Sequence, residues 1–562
     1  MRTAPRAARG GGSARGSGRV SRAPAPRWPA ALGRRGVVAS PHPLATVAGL
    51  DILLRGGTAA DAAVAVGATL AVVYPHMTGL GGDSFWLLWD ARAARLAALQ
   101  AAGGAAALAS PAYYRRQGLT AIPARGPLAA LTVPGAVDGL WSAHRWSRAR
   151  LGSAVPWGDL LEAAIRHARD GFAVSPCLTR VTRGAADLLA SDDPALGPLR
   201  EAYLAAGAPL APGSPLVQPR LAATLERLAR EGGRAFYEGA IADEIGRACE
   251  ALGSPLRARD LAVHRSRWVE PITAPYRGGV AASVPPPCQG LAALAILGML
   301  DALDVRDGDD AGYVHLVVEA TKLAFGDRDR WLADPEVEPV PLGALLDPAY
   351  LRERARAIAA DRAMPAPARS GVERGDTIAC VTADGAGHCV SLIQSLYHEW
   401  GSGVVAGATG VVLQNRGIYF DLDGGPNGLV PGKRPFHTLT PFMYLRDGRP
   451  VLVAGTMGGE GQPQTLAALT TRIVDRGLGV QAAIEAPRWI YGRTWGAPRR
   501  DLALERRFGA RVRAALARRG HVVRVLEDWS DTVGHAQAIE RDSTGLLVGG
   551  GDPRADGPAL GC

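Results

Sequence analysis

The chain has 562 residues, of which 47% are hydrophobic and 21% are charged, and this composition is typical of a globular protein rather than a disordered one. Nine of the ten net positive charges lie in the first 50 residues, which hold nine arginines and no acidic residue, so the rest of the chain is close to neutral. A nucleic-acid-binding fold would carry its excess cations on a folded face, so we expect no nucleic-acid partner. No apolar run reaches the roughly 18–20 residues that span a bilayer, so we expect no membrane partner.

The first 35 residues are predicted to be a disordered, arginine-rich extension, with order beginning near Gly36. Proline, glycine and arginine interrupt every apolar stretch of this extension, so it lacks the continuous apolar segment of a secretory signal. The sequence therefore predicts a cytoplasmic protein.

Helical patterns dominate the first two-thirds of the chain. The predicted helices cover residues 43–54, 59–73, 160–170, 216–231 and 313–332. A glycine-rich turn at 75–83 leads into a predicted strand at 84–89. The D-R-D-R run at 327–330 is expected to be an exposed turn with salt bridges.

Short apolar, β-branched segments dominate after Gly375. Segments 377–382 and 389–396 flank an A-D-G-A-G turn and predict a hairpin. Further strands are predicted at 411–413, 441–445, 451–454, 521–526, 535–540 and 545–549, and helices at 463–476 and 502–519. Because helices precede strands instead of alternating with them, this order predicts an α+β fold or a layered sandwich.

The common signatures of nucleophiles and cofactor sites are missing. There is no G-x-S-x-G elbow, no phosphate-binding G-x-x-x-x-G-K-[ST] loop and no H-E-x-x-H zinc motif. Six scattered cysteines without a C-x-x-C pair predict reduced thiols rather than a disulfide framework or a zinc site. Only two lysines, Lys322 and Lys433, are present, which disfavours Schiff-base chemistry. The sequence therefore predicts neither a metal nor an organic cofactor.

Thr377, in the run Gly375-Asp376-Thr377, is a candidate nucleophile of another kind. A threonine hydroxyl needs a nearby base, and its own α-amine becomes available once the bond between Asp376 and Thr377 is cut. A free α-amine has a pKa of roughly 7.7–8.0, so it can accept the hydroxyl proton near neutral pH. Taken alone, a threonine at the start of a strand is most often structural, and both interpretations stay open at this point.

Several motifs, in order along the chain, resemble the γ-glutamyltransferases, a family of N-terminal-nucleophile hydrolases. They are G-T-A-A-D-A-A-V-A at 57–65, P-H-M-T-G-L-G-G at 75–82, G-D-T at 375–377, P-G-K-R-P at 431–435, G-T-M-G-G at 455–459 and G-D-P-R at 551–554. The resemblance covers roughly residues 36–557. It implies a four-layer αββα sandwich, formed by one precursor that cuts itself into a large segment, 36–376, and a small segment, 377–562.

The resemblance also implies how catalysis would work. Thr377 would form an acyl ester that is resolved by water or by an amine acceptor, and the N–H groups of Gly458 and Gly459 would form the oxyanion hole. Donors fixed at a developing oxyanion are worth about 2.7–4 kcal/mol each. Ser395 falls on the second hydroxyl position of the family, which supports the nucleophile. Without the resemblance, a glycine pair after a strand indicates only a turn.

The substrate-binding positions depart from the family pattern. Gln100 stands where the family has an arginine that clamps an α-carboxylate. Three positions that hold the α-amine with amide and acidic groups carry Tyr397, Arg416 and Tyr419, while two hydroxyl positions carry His437 and Thr438. Arg416 would repel an ammonium group, because a guanidinium has no acceptor, and instead suits a carboxylated acyl chain.

Three functions remain open from the sequence. The first is a γ-glutamyl hydrolase or transferase acting on glutathione-like amides, and the second is an amidase of the glutaryl or cephalosporin acylase type acting on other N-acyl compounds. The third is an inactive structural relative, which the retention of Thr377, Gly458 and Gly459 disfavours. The expected reaction partners are a small-molecule N-acyl or γ-glutamyl amide and either water or an amine. The large and small segments of one precursor would form a heterodimer, and a homodimer of such heterodimers is one expected assembly.

Two further sets of residues receive structural interpretations. His315, Glu319 and Lys322 share helical spacing and are expected to form a solvated face or a local ion pair. Arg488 has no assigned place, although it could line the cleft.

Overall fold

Two seven-stranded antiparallel sheets form the centre of the molecule. The computed structural model describes residues 26–185, 188, 190–306, 309–365, 376–492 and 500–562. In spatial order, sheet I consists of β1 (Ala31–Gly33), β20 (Leu547–Gly550), β19 (Ala536–Arg541), β15 (Arg449–Thr456), β14 (Phe442–Arg446), β11 (Gly279–Ser283) and β10 (Ile272–Tyr276). Sheet II consists of β21 (Ala559–Gly561), β2 (Gly36–Ala39), β12 (Asp376–Asp384), β13 (Cys389–Tyr397), β3 (Asp83–Asp90), β4 (Arg95–Ala101) and β9 (Arg267–Val269). Each sheet therefore contains strands from both sides of the bond between Asp376 and Thr377.

The two sheets pack face to face, and helices cover their outer faces. The helices on sheet II include Pro43–Leu54, Ala59–Val73, Ala136–Trp146 and Trp157–Asp170. Those on sheet I are Gly290–Leu300, Asp310–Trp331, Pro348–Arg356, Gln462–Val474, Val480–Glu485 and Ala510–Arg518. A third apolar cluster, which includes Phe85, Val381 and Val453, fills the space between the sheets. The layers are therefore helix, sheet, sheet, helix, and the predicted αββα sandwich is confirmed.

The remaining elements lie around this sandwich. Further helices span Pro111–Arg115, Pro176–Gly184, Gly197–Tyr203, Pro219–Glu231, Ala240–Ala251, Ala258–Val263 and Leu342–Leu345. A small sheet joins β16 (Trp489–Tyr491), β17 (Leu502–Glu505) and β18 (Val523–Leu526), and two short ladders pair β5 (Phe172–Ala173) with β8 (Pro215–Leu216) and β6 (Leu204–Ala205) with β7 (Ala208–Pro209). Among the described helices, none combines the length and the apolar character needed to cross a membrane.

Three sequence predictions about local structure are corrected. The ordered chain begins before Gly36, because Ala31–Gly33 already pairs with β20; residues 1–25 of the expected extension lie outside the described residues. The helix expected at 502–519 begins only at Ala510, since its first residues form β17 and Gly509 separates the two elements. The strand expected at 411–413 is reduced to isolated bridges of Val412 and Leu413.

Candidate active site

Thr377 lies at an irregular position at the start of β12. Asp376 pairs with Tyr397 and Ile378 pairs with Gln394, so two residues of β13, Ser395 and Leu396, lie opposite Thr377 alone and form a bulge. Bulges re-aim side chains and are common beside active sites. In this uncut chain Thr377 is only 1% exposed. Its hydroxyl donates to Ser395 Oγ over 3.3 Å.

Ser395 collects several donors beside Thr377. In addition to the Thr377 hydroxyl, its Oγ accepts the backbone N–H of Tyr397 over 2.7 Å and Arg416 Nη2 over 3.3 Å. Ser395 is buried and is the cross-strand neighbour of Asp83 on β3. Ser395 therefore connects the candidate nucleophile directly to a cation.

Arg416 is a buried cation that lacks a carboxylate partner. Its Nη1 donates to Thr438 Oγ1 over 3.0 Å, and its guanidinium carbon lies 4.3 Å from the centroid of the Tyr397 ring. Its Nε finds no hydrogen-bond partner, and no carboxylate of the described residues forms a salt bridge with it. Burial lowers the pKa of Arg416, but a guanidinium stays protonated at any physiological pH. The site thus presents, next to Thr377, a positive charge that forms no salt bridge with a described carboxylate, although the Asp83 carboxyl lies near enough to interact with it electrostatically.

Gly458 and Gly459 form a turn directly after β15. Their φ angles are +137° and +49°, in the region that favours glycine. Within the described part of the chain, neither of their backbone N–H groups donates a hydrogen bond to the protein. Two adjacent free N–H groups on a fixed turn are the arrangement that an oxyanion hole requires.

The glycine turn lies at the same end of the sandwich as Thr377. Ser391, opposite Val381, donates to Ala454 O over 2.8 Å. A Cβ built on Gly455 would lie 3.1 Å from the Cβ of Ala379. Ala454 of β15 therefore lies near position 381 of β12, and Gly455 lies near position 379. The two strands thus approach Thr377 and the glycine turn at the same end of the sandwich.

A chain of hydrogen bonds links Thr377 to the glycine turn. It runs through Ser395 and Arg416 to Thr438, whose carbonyl accepts Gln289 Nε2 over 2.9 Å. The same nitrogen donates to Gly459 O over 2.9 Å. Sequence reasoning missed Gln289, since an isolated glutamine after a proline run carries no recognisable signal.

Asp83 and His437 form a second pair beside Ser395. His437 was predicted from the sequence as a site residue, but Asp83 was not. His437 Nε2 lies 3.0 Å from Asp83 Oδ2, and Asp83 Oδ1 accepts the N–H of Gly135 over 2.9 Å. Burial raises the pKa of Asp83 to about 7, against the opposing effect of Arg416, and burial lowers the pKa of His437. Asp83 directly follows the 75–82 motif, and that position is the only sequence signal for it.

Tyr397 and Tyr419 form an aromatic wall next to Arg416. Tyr397 is buried with φ +82°, and the centroids of the two rings are 4.8 Å apart. The Tyr419 hydroxyl donates to Glu460, in the glycine turn, over 3.5 Å. Arg328 Nη2 donates to the same carboxylate over 3.0 Å and is 2% exposed at its side chain, so the exposed turn expected at 327–330 is wrong for Arg328.

Gln100 does not join these residues. Its side-chain amide donates to Pro285 O and Pro286 O over 2.9 and 3.0 Å. Its oxygen accepts Arg434 Nη1 over 2.7 Å, and Arg434 in turn pairs with Asp334. Both donors of Gln100 are therefore committed to the protein, which leaves none for clamping a substrate carboxylate.

A buried cluster in the helical layer that covers sheet I offers atoms that suit a metal. His315, Glu319 and His521 bring three potential ligand atoms within 4.8 Å of one another. The ion pair expected for Glu319 and Lys322 is confirmed at 2.7 Å, but the expected solvated face is wrong, because all of these side chains are buried. Since the Lys322 ammonium already supplies a cation to Glu319, these residues do not fit a divalent ion well.

Comparisons with known proteins place nearly the whole chain in one family. A profile of the family described as gamma-glutamyltranspeptidase matches residues 45–562. The chain is 46% identical over 530 residues to the oxamate amidohydrolase proenzyme of Klebsiella pneumoniae, covering 94% of this chain and 98% of the relative. It is 42% identical over 533 residues to the glutathione hydrolase-like YwrD proenzyme of Bacillus subtilis, covering 94% and 99%.

A solved structure extends the likeness to the fold. A cephalosporin acylase from Bacillus halodurans superposes with a TM-score of 0.88 at 34% identity, covering 95% of this chain and 97% of that one. These likenesses span nearly the whole chain. The protein therefore belongs to the gamma-glutamyltranspeptidase family of N-terminal-nucleophile hydrolases.

Proposed function

We propose that this protein is a self-processing amidase that hydrolyses short anionic amides through an ester on Thr377. The observation that carries the proposal is the buried guanidinium of Arg416, which forms no salt bridge with a described carboxylate and shares Ser395 Oγ with the Thr377 hydroxyl. The free N–H groups of Gly458 and Gly459 support the same chemistry.

The reaction follows from these groups. Cleavage between Asp376 and Thr377 frees the α-amine, which takes the proton from Oγ1 as that oxygen attacks the amide carbonyl. The carbonyl oxygen becomes an oxyanion that accepts hydrogen bonds from Gly458 and Gly459. The C–N bond then breaks and the amine leaves with the proton, and water hydrolyses the ester to regenerate Thr377 and release the acid.

The position of Arg416 favours a carboxylate close to the scissile carbonyl. Thr377 Oγ1 and Arg416 Nη2 each lie 3.3 Å from Ser395 Oγ, so the two atoms can be no further apart than twice that distance. A carboxylate bonded directly to the carbonyl, as in oxamate, can span this gap and still hydrogen-bond to the guanidinium. The α-carboxylate of a γ-glutamyl group lies three carbons further along, and its ammonium would meet the Arg416 charge. The name of the Klebsiella pneumoniae relative, oxamate amidohydrolase, fits this inference.

An acylase that accepts longer carboxylated chains, such as glutaryl amides, is the second candidate. It is favoured by the likeness to the cephalosporin acylase and also uses a substrate carboxylate without an α-amine. Transfer of the acyl group to an amine instead of water would proceed through the same ester. The γ-glutamyl reaction is disfavoured because Tyr397, Arg416 and Tyr419 offer no anion for the substrate ammonium.

Two experiments test the proposal. On denaturing electrophoresis, the wild type should give fragments 1–376 and 377–562, whereas Thr377→Ala should stay intact and inactive. Thr382→Ala is the matched control, since this buried threonine of the same strand donates only to Ala59 O and should not affect cleavage. Release of ammonia should then be compared along the series oxamate, malonamate, succinamate, glutaramate and glutamine. We expect kcat/KM to be highest for oxamate; a maximum at glutaramate would favour the acylase, and a maximum at glutamine would refute the role given to Arg416.

A further inference from the structure

We infer that Arg488, held by Asp552, is a positioning residue that keeps the Gly458–Gly459 turn in place for the reaction. This inference rests on the proposed oxyanion role of the turn. It assigns a function to an arginine that had no place from the sequence, and to the G-D-P-R motif at 551–554.

Arg488 connects a buried carboxylate to the backbone behind the turn. It directly precedes β16, and its side chain is 3% exposed. Its Nη2 donates to Gly534 O over 2.5 Å and makes a short contact with Asp552 Oδ2. The same carboxylate oxygen accepts the N–H of Ala536 over 2.7 Å. Arg488 and Asp552 together thus fix the backbone from residue 534 to residue 536.

This fixed backbone is the surface on which the glycine turn rests. Met457 N donates to His535 O over 2.9 Å. Gly534 has φ +81°, and a Cβ there would lie 2.3 Å from Met457 O, so the two backbones are in contact. A Cβ on Gly458 would in turn lie 3.4 Å from the Gly534 Cα. A shift of Gly534 would therefore move the N–H groups of the turn, which must point at the oxyanion.

The hydrogen bonding of Arg488 is poor for a residue that serves stability alone. Its Nε and Nη1 are buried and find no acceptor among the described residues. Burial lowers the pKa of Arg488 to about 10. Buried polar groups are almost always paired, and a well-packed apolar residue would avoid this penalty. The presence of a cation at this poorly satisfied position points to a function beyond stability, namely holding the glycine turn.

The surrounding charges also favour an anion at the turn. Arg554 donates to both oxygens of Glu505 over 2.7 Å and to Asp552 Oδ1 over 3.0 Å, and Arg507 also contacts Glu505. With Arg488, this cluster holds three arginines and two carboxylates, so it carries one more positive than negative charge. A fixed positive field behind the oxyanion hole stabilises the charge that develops in the transition state more than it stabilises a neutral amide.

The test compares Arg488→Gln with a matched control, Arg277→Gln. Arg277 pairs with the buried Asp475, but it lies at the opposite end of sheet I, next to the pairing of Val280 with Leu445. For Arg488→Gln we expect kcat to fall by roughly tenfold to a hundredfold with KM changed by less than about twofold, because an interaction made mainly in the transition state is lost. Arg277→Gln should leave kcat unchanged.

Two probes separate positioning from a general structural role. Methylboronic acid adds to the Thr377 hydroxyl as a tetrahedral anion, and its affinity should fall by the same factor as kcat in Arg488→Gln. Oxalate, the product acid, should keep its affinity. The inference is overturned if both affinities fall together, if kcat is unchanged, or if Arg277→Gln shows an equal loss.

A milder variant keeps the test decisive if Arg488→Gln is uncut or unfolded. Arg488→Lys retains the charge and one donor, and an intermediate kcat is expected. If neither variant folds, Arg488 is a structural residue. If both fold with a native melting temperature but do not self-cleave, Arg488 acts in processing. Either result would overturn the inference. Activity in Thr377→Ala would instead refute the proposed function itself, independently of any Arg488 variant.

Discussion

Replacing Arg416 with methionine should lower activity and raise stability at the same time. The guanidinium is fully buried and has no carboxylate partner among the described residues, so the folded state bears the cost of desolvating it. The substitution also removes the two hydrogen bonds that the guanidinium donates, to Ser395 and Thr438, but measured net effects of such replacements already include losses of this kind. Since apolar replacement of buried ionic groups is often stabilising by about 1–4 kcal/mol, we expect a net gain of roughly 1–2 kcal/mol.

The effect of Arg416→Met on activity should be large and specific for anionic substrates. A charge-assisted hydrogen bond contributes about 1.5–3 kcal/mol, so losing the contact with a substrate carboxylate should reduce kcat/KM for oxamate by roughly 10- to 150-fold. Acetamide, which has no carboxylate, should be hydrolysed as slowly by the variant as by the wild type.

Melting temperature and ammonia release measured on the same preparations provide the assay. Arg277→Met is the control for stability, because Arg277 has a buried carboxylate partner in Asp475 and its removal should lower the melting temperature. The reasoning is refuted if Arg416→Met melts below the wild type, or if activity on oxamate and acetamide falls equally.

Three further predictions concern the surrounding residues. The pKa of Asp83 is raised to about 7, above its unfolded value, so its contribution to stability is greatest below about pH 4 and is lost as pH rises to about 7. Asp83→Asn should therefore reduce the decline of the urea unfolding midpoint over this pH range. An unchanged pH dependence of the midpoint would contradict this prediction. Gly458→Ala places a residue with a Cβ at φ +137° and should lower kcat by about a hundredfold with little change in KM; near-wild-type kcat would show that the turn does not hold the oxyanion. Lys322→Met leaves Glu319 buried without its cation and should cost about 3–5 kcal/mol of stability, which Glu319→Gln in the same chain should largely restore; no restoration would mean that the ion pair is not the cause.

The parts of the site that follow from local pattern were predictable from the sequence. Apolar, β-branched segments on both sides of the A-D-G-A-G turn predict the β12–β13 hairpin, which places Thr377 at its start and Ser395 near its end. The convergence of Arg416 and Thr438 on this hairpin was expected only through the family resemblance, since contacts between residues about 20 positions apart in loops leave no periodic signal.

Other features could not be predicted, because polar patterns are ambiguous. His315, Glu319 and Lys322 have the spacing of a solvated helix face, but His521 and the backbone of Ala359 and Met364 cover that face. Gln289 and Asp83 acquire their positions from loops and strands distant in sequence. The boundary at Gly36 was misplaced for a similar reason, since a strand of three residues is too short to show alternation.

Both segments contribute strands to each of the two sheets, and this determines what cleavage of the backbone would do to the molecule. β12 and β13 of the small segment lie between β2 and β3 of the large one, while β10 and β11 extend a sheet built mainly from the small segment. A nick before Thr377 therefore releases neither fragment, because separation would break complete ladders on both sides of the core. Fragments from two differently tagged variants should consequently exchange only after both proteins have been unfolded and renatured together.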